Sequence, residues 1–267
     1  MENLLHIALV QTTVSRNVEE NLENSAKWIG QAAQKGADLV VFPEMFMALP
    51  AKDVELGKVA QPLDGPFVQG LAKLAADHGV GVVCGIWEKL AADEKKAANV
   101  AVVLDRNGDL LARYNKVHLF DALSVRESDT MTGGNAAPPV FCINGVNLGL
   151  AICYDLRFPE LFRYLAVNGA DGVIVPSAWY AGPLKEEHWL TLLRARAIEN
   201  TMYVCGANLC GTPFSARSAI FDPFGVAAAE AGEGEALVLG TIEQSRIGDV
   251  RTRLPSLSHV RKDLFIG

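Results

Sequence analysis

The chain has 267 residues, 50% hydrophobic and 21% charged, with 24 Gly and 12 Pro, an ordinary globular composition for one large domain or two small ones. Its net charge of −7 and pI near 5.3 argue against a nucleic-acid partner but permit a local cationic pocket for an acidic small molecule. No apolar run approaches the roughly 18–20 residues of a membrane span, which excludes a membrane protein of the helical kind.

Strand and helix patterns alternate along the chain. Leu4–Gln11 reads as a strand, and Val18–Lys35 as a helix with Asn17 and Glu20 spaced as a capping-box variant and Gly36 closing it. Asp38–Phe42 is a short apolar strand that runs directly into Pro43-Glu44. A helix over Pro66–His78 ends at Gly79, and a strand covers Val80–Trp87. Asn99–Asp105 with Leu110–Asn115, and Val140–Ile143 with Val146–Ile152, form hairpins, the second around Asn144-Gly145. A helix at Pro159–Asn168 follows, then a strand at Gly172–Pro176, a long helix at Lys185–Asn200 and a strand at Met202–Asn208. Further strands flank Asp222-Pro-Phe-Gly225. No low-complexity linker and no internal repeat interrupts the pattern. The expected fold is α/β, a single domain over 1–267 with its core at about 4–255 and a tail at 256–267.

The Met1-Glu2-Asn3 start lacks the basic stretch of a secretory signal. The five cysteines (Cys84, Cys142, Cys153, Cys205 and Cys210), an odd number without a CxxC pair, suit a reducing cytoplasm better than a disulfide framework. Four of them sit in or just after apolar strand-like runs and read as core.

Cys153 is different. Gly149-Leu-Ala-Ile-Cys153-Tyr-Asp-Leu-Arg-Phe-Pro159-Glu160 places it at a strand-to-helix turn, where the helix N-terminus and any nearby cation lower a thiol pKa toward the thiolate. Taken alone, it reads equally as a small buried hydrophobe. Glu44 lies just past the carboxyl end of another apolar strand, the place where catalytic groups gather in such sheets; alone, it is also a plain loop carboxylate. Lys116 lies in Arg113-Tyr-Asn-Lys116-Val-His-Leu-Phe120, a stretch too apolar for a casually solvated lysine, although a snorkelling side chain fits it as well. No histidine stands in metal-ligand spacing with a carboxylate or thiol, so no metal is expected.

Together, Phe42-Pro-Glu44, Tyr114-Asn-Lys116-Val-His-Leu119 and Cys153-Tyr-Asp-Leu-Arg-Phe-Pro-Glu160 resemble the nitrilase, or carbon–nitrogen hydrolase, superfamily, over nearly the whole chain. The resemblance implies a four-layer α-β-β-α sandwich whose subunits associate as a homodimer or dimer-based oligomer. It also implies a Glu44-Lys116-Cys153 catalytic set, a second glutamate at Glu127, and no cofactor. In that chemistry Cys153 attacks an amide carbonyl to form a thioester, and Glu44 moves the protons. Lys116 and the Tyr154 backbone N–H face the oxyanion. His118, two residues from Lys116, is expected as a structural partner of the site rather than its base.

Two later stretches, Pro176-Ser-Ala-Trp179-Tyr-Ala-Gly-Pro-Leu-Lys-Glu-Glu-His-Trp189 and Arg194-Ala-Arg-Ala-Ile-Glu-Asn200, look like the bacterial deaminated glutathione amidase branch. That branch cleaves a γ-glutamyl-type amide of a 2-oxo acid. It implies a carboxylate-bearing small-molecule substrate, with Ser177 and Trp179 as candidate pocket walls beside Tyr154. Arg157 is expected to brace the nucleophile turn through Asp155 or Glu160. An ω-amidase and an N-carbamoyl amino acid hydrolase are the alternatives within the family, and a catalytically idle interaction module the alternative outside it. The apolar residues Trp189, Leu190, Leu192 and Leu193 of the long helix are expected to supply a subunit contact.

Overall fold

In the computed structural model, which describes residues 3–51 and 54–265, the first half runs β1 (Leu4–Gln11), α1 (Val18–Gln34), β2 (Leu39–Val41), α2 (Pro66–His78), β3 (Gly81–Lys89), β4 (Ala97–Leu104) and β5 (Leu110–Asn115). A two-residue ladder of β6 (Asp121–Ala122) with β7 (Val125–Arg126) links it to the second half. There β8 (Val140–Ile143), β9 (Val146–Leu150), α3 (Pro159–Val167), β10 (Gly172–Ser177), α4 (Lys185–Asn200) and β11 (Tyr203–Asn208) follow. The chain closes with β12 (Ala219–Phe221), β13 (Ala227–Glu230), β14 (Ala236–Glu243), α5 (Gln244–Arg253) and a helical turn, α6 (Lys262–Phe265).

The strands form two six-stranded sheets, ordered β14-β1-β2-β3-β4-β5 and β8-β9-β10-β11-β12-β13. In that direction they match strand for strand. An antiparallel edge is followed by three parallel strands joined through helices, then by two antiparallel strands. The expectation of no internal repeat is therefore corrected at the level of topology. The two halves share a connection pattern without sharing a residue pattern.

Side-chain alternation builds the layers. Leu5, Ile7 and Leu9 of β1 join the cluster that holds Leu148, Leu150, Val173 and Val175 of the other sheet. Ala8 and Val10 point the other way, to Trp28 and Ile29 of α1 and Leu71 of α2. Phe162, Leu165, Trp189 and Leu193 bring α3 and α4 onto the second sheet. The result is the four-layer α-β-β-α sandwich. Each large side chain buried this way contributes roughly 1.5–3 kcal/mol, which is why strands with two covered faces read as unbroken apolar runs.

Local signals act largely as expected. Asn17 caps α1, its Oδ1 accepting from the Glu19 and Glu20 N–H groups at 2.8 and 3.2 Å. The Glu20 carboxylate turns to the Ser15 hydroxyl instead of back to the cap, so the box is half made. Asn144 and Gly145 both take positive φ, closing the β8–β9 hairpin. The helix α5 was not expected; only Ile247 and Val250 are buried along it, too few to mark a stripe in the sequence. Among the described residues, no helix is long and apolar enough to cross a membrane.

Two expectations need correction. Cys142 is exposed, on the outward face of the edge strand β8, whereas Cys84, Cys205 and Cys210 are buried. Trp189 and Leu193 are fully buried in this chain's own core. They sit over Gly206 of β11, where an added Cβ would lie 2.6 Å from the Trp189 ring. Trp189 and Leu193 are thus spent inside the chain, while Leu190 and Leu192 stay partly exposed.

Candidate active site

Four strand ends deliver the candidate side chains. Past β2, the chain turns at Phe42-Pro43-Glu44 and presses against β3, where a Cβ on Gly85 would stand 2.6 Å from both Glu44 Cα and the Pro43 carbonyl oxygen. Only glycine lets that turn approach. Lys116 follows β5; its N–H bonds the Asn99 carbonyl at 2.9 Å and its carbonyl accepts from Gly134 at 2.8 Å. Glu127 follows β7 directly, and its Oε2 accepts the Phe120 N–H at 2.7 Å. Cys153 follows β9 and opens a helical turn, Cys153–Arg157, at φ 44°, a left-handed conformation that a side chain rarely adopts.

These groups converge. Lys116 Nζ lies 2.8 Å from Glu44 Oε1 and 3.0 and 2.9 Å from the two Glu127 oxygens. Lys116 is 0% exposed, Glu44 1% and Glu127 6%. One cation between two carboxylates leaves an excess negative charge, and further N–H groups offset it. Asn99 Nδ2 donates to Glu44 Oε1 at 2.7 Å and the Ala178 N–H to Glu44 Oε2 at 2.8 Å. Burial without such donors would be prohibitive.

The charges bias one another. Burial alone would strip Lys116 of its proton, but Glu44 and Glu127 hold its pKa well above the usual lysine value, so it stays an ammonium. Glu127 is raised by burial and by the Glu44 carboxylate, against the pull of Lys116. Cys153 is pushed well above an ordinary thiol, by burial first and by Glu44 next, with Lys116 and the Ala178 N–H opposing. This overturns the expectation of a lowered thiol pKa at the turn. A thiol raised in this way favours its neutral form, and its use as a nucleophile would call for a base at the moment of attack.

Cys153 faces a narrow cavity, lined also by Met45, Phe120, Glu127, Tyr154, Ala178, Trp179, Tyr180 and Lys185. The cavity shares Phe120, Tyr154, Tyr180 and Lys185 with a wider mouth that adds Arg157 and His188. The candidates Tyr154 and Trp179 are therefore wall residues. Ser177 is not; it is fully buried at the end of β10 and its Oγ turns back to the Val175 carbonyl at 3.4 Å. Its neighbour Ala178 reaches the site through a backbone N–H instead. His118 sits beside the site, with Nδ1 2.7 Å from Asp155 Oδ1 and its ring stacked on Phe158.

Arg157 differs from expectation. It pairs with neither Asp155 nor Glu160; its guanidinium lies over the Trp179 ring at 4.8 Å and meets His188 Nδ1 at 3.4 Å. Lys185 was not anticipated. Its Nζ lies 4.4 Å from the Trp179 ring centre and 5.3 Å from that of Phe120, and burial followed by the nearby Arg157 lowers its pKa. Neither Arg157 nor Lys185 has a carboxylate partner within 4 Å among the described residues. One signal was present in the sequence: Lys185 is the first residue of α4, where the helix dipole disfavours a cation.

The model of the family described as Carbon-nitrogen hydrolase matches residues 6–252. A deaminated glutathione amidase of Escherichia coli O157:H7 is 38% identical over 256 residues, covering 96% of this chain and 97% of that protein. Among solved structures, the Caenorhabditis elegans NitFhit protein superposes with a TM-score of 0.91 at 32% identity, over 98% of this chain and 66% of that longer one. Saccharomyces cerevisiae Nit3, described as a member of branch 10 of the nitrilase superfamily, gives 0.84 at 31% identity over 95% of both chains.

Proposed function

Since this chain belongs to the carbon–nitrogen hydrolase family and is a hydrolase of linear, non-peptide carbon–nitrogen bonds, we propose that it is a deaminated glutathione amidase working through a Cys153 thioester. The observation that carries the reading is the buried Glu44–Lys116–Glu127 cluster beside a thiol that lines a cavity. Glu44 accepts the Cys153 proton as sulfur attacks the amide carbon. The oxyanion forms beside the Lys116 ammonium and the Tyr154 N–H, and its collapse expels the amine, which takes the proton from Glu44. Glu44 then deprotonates the water that cleaves the thioester, releasing the acid and restoring the thiol. Glu127 holds Lys116 in place.

The substrate assignment rests on the relatives and on the cations. Arg157 and Lys185, with no acidic residue among the described ones lining the cavity mouth, are suited to a carboxylate of the substrate. Leaving such a charge unpaired costs on the order of 2–5 kcal/mol. Lys185→Met is accordingly expected to raise KM for deaminated glutathione on the order of 10- to 100-fold, while leaving turnover of a neutral amide unchanged. Steady-state rates across deaminated glutathione, 2-oxoglutaramate, an N-carbamoyl amino acid and a neutral amide check both claims. If the neutral amide or the N-carbamoyl compound is the better substrate, the assignment falls.

The protein acts, on this reading, in the cytoplasm and as a homodimer. The dimer is supported by the exposed Tyr164 of α3 and Ile198 of α4, 43% and 44% accessible on neighbouring helices. Light scattering at assay concentration is expected to give twice the chain mass, and a fully active monomer would contradict it.

A further inference from the structure

We infer that Asp155 is a positioning residue that sets the Cys153 thiol against Lys116; the inference rests on the amidase reading above. Asp155 is completely buried. Its Oδ2 accepts the Ile152 N–H at 2.9 Å and the Tyr114 hydroxyl at 3.0 Å. Its Oδ1 accepts the His118 N–H at 3.2 Å and lies 2.7 Å from His118 Nδ1.

The placement of these donors is the argument. Tyr114 and His118 flank Lys116, two residues to either side, and Ile152 immediately precedes Cys153. One carboxylate therefore ties the segment that carries the ammonium to the turn that carries the nucleophile. That turn holds Cys153 at φ 44°, a conformation that persists only where the surroundings over-determine it. The bond from Ile152 to Asp155 closes the turn from within, and the bonds from Tyr114 and His118 fix its distance to Lys116. The His118 ring, stacked on Phe158 with centroids 3.6 Å apart, fastens the far end of the same turn. Asp155 touches no reacting atom. Its effect passes through the geometry of two groups that do.

The test is Asp155→Asn, which keeps the shape but turns an NH2 group toward donors. With Cys142→Ser as background, to remove the exposed thiol, three quantities are measured beside thermal unfolding: kcat, KM and the rate of Cys153 alkylation by iodoacetamide. A misplaced reacting group costs on the order of 10²-fold, so kcat is expected to fall by about that factor with KM nearly unchanged, and alkylation to slow with it. Tyr114→Phe, which deletes one donor and keeps the ring, is expected to give a smaller loss in both. A folded Asp155→Asn protein with parental kcat and alkylation overturns the inference, as does a loss that only follows the unfolded fraction. If Asp155→Asn does not fold, Tyr114→Phe decides, and parental values there overturn it. Alkylation needs no amide substrate. A parent that alkylates at Cys153 yet cleaves no amide would sink the amidase reading and leave Asp155 to be judged on the alkylation ratio.

Discussion

The Cys153→Ala protein is expected to fold like its parent and to lose turnover by about 10⁴-fold or more, because no other group can form the thioester. Folding should survive for a physical reason. The side chain is small, its sulfur faces a cavity, and alanine fills the same left-handed position with no greater strain. The burial lost amounts to one heavy atom, on the order of 1 kcal/mol. Amine release and thermal unfolding measured together check the claim, and activity above a few per cent of the parent refutes the assignment. Chemical labelling needs more care. The raised pKa of the Cys153 thiol works against its being alkylated first. Cys142, exposed on β8, competes for any alkylating agent. Peptide mass mapping must therefore separate the two, and label at Cys142 carries no information about catalysis.

Where residues act through short motifs at strand ends, the chain was legible. Glu44 and Cys153 each follow an apolar run that ends a parallel strand, Lys116 follows the antiparallel edge strand β5, and the sheets bring those ends to one place. Turns with strong local chemistry were equally plain: Asn144-Gly145 forms a hairpin and Pro159 opens α3. What stayed hidden depends on partners distant in sequence. The Ser177 hydroxyl points into the sheet because it ends β10 on the buried side, a question of register that the apolar run Gly172–Ser177 cannot answer, since all six residues are buried. Arg157 leaves its own turn for Trp179, which lies in a loop after another strand. Trp189 and Leu193 look surplus to one sheet face until Gly206 opens a seat for them. The duplicated topology left no trace either, because strand order is set by connections and not by matching residues.

Glu44→Gln is expected to separate the reactivity of the thiol from catalysis. Turnover should fall by roughly 10²–10⁴-fold, the usual worth of a general acid–base group, because both thioester formation and hydrolysis move a proton through this carboxylate. Glu127→Gln should be milder, on the order of 10²-fold, if that residue only positions Lys116. The pH dependence of alkylation gives the sharper distinction. Glu44 raises the Cys153 pKa by its negative charge, while Lys116 lowers it. Neutralising Glu44 removes an opposing charge and leaves the ammonium, still held by Glu127 at 3.0 and 2.9 Å. The thiolate should then form at lower pH than in the parent, so the midpoint of Cys153 alkylation shifts downward even as amide turnover collapses. A more reactive thiol in a dead enzyme is the signature of a lost base. An upward shift with turnover retained within tenfold would instead mean that Glu44 only holds Lys116, and that the proton travels through Glu127, the other carboxylate on the same ammonium.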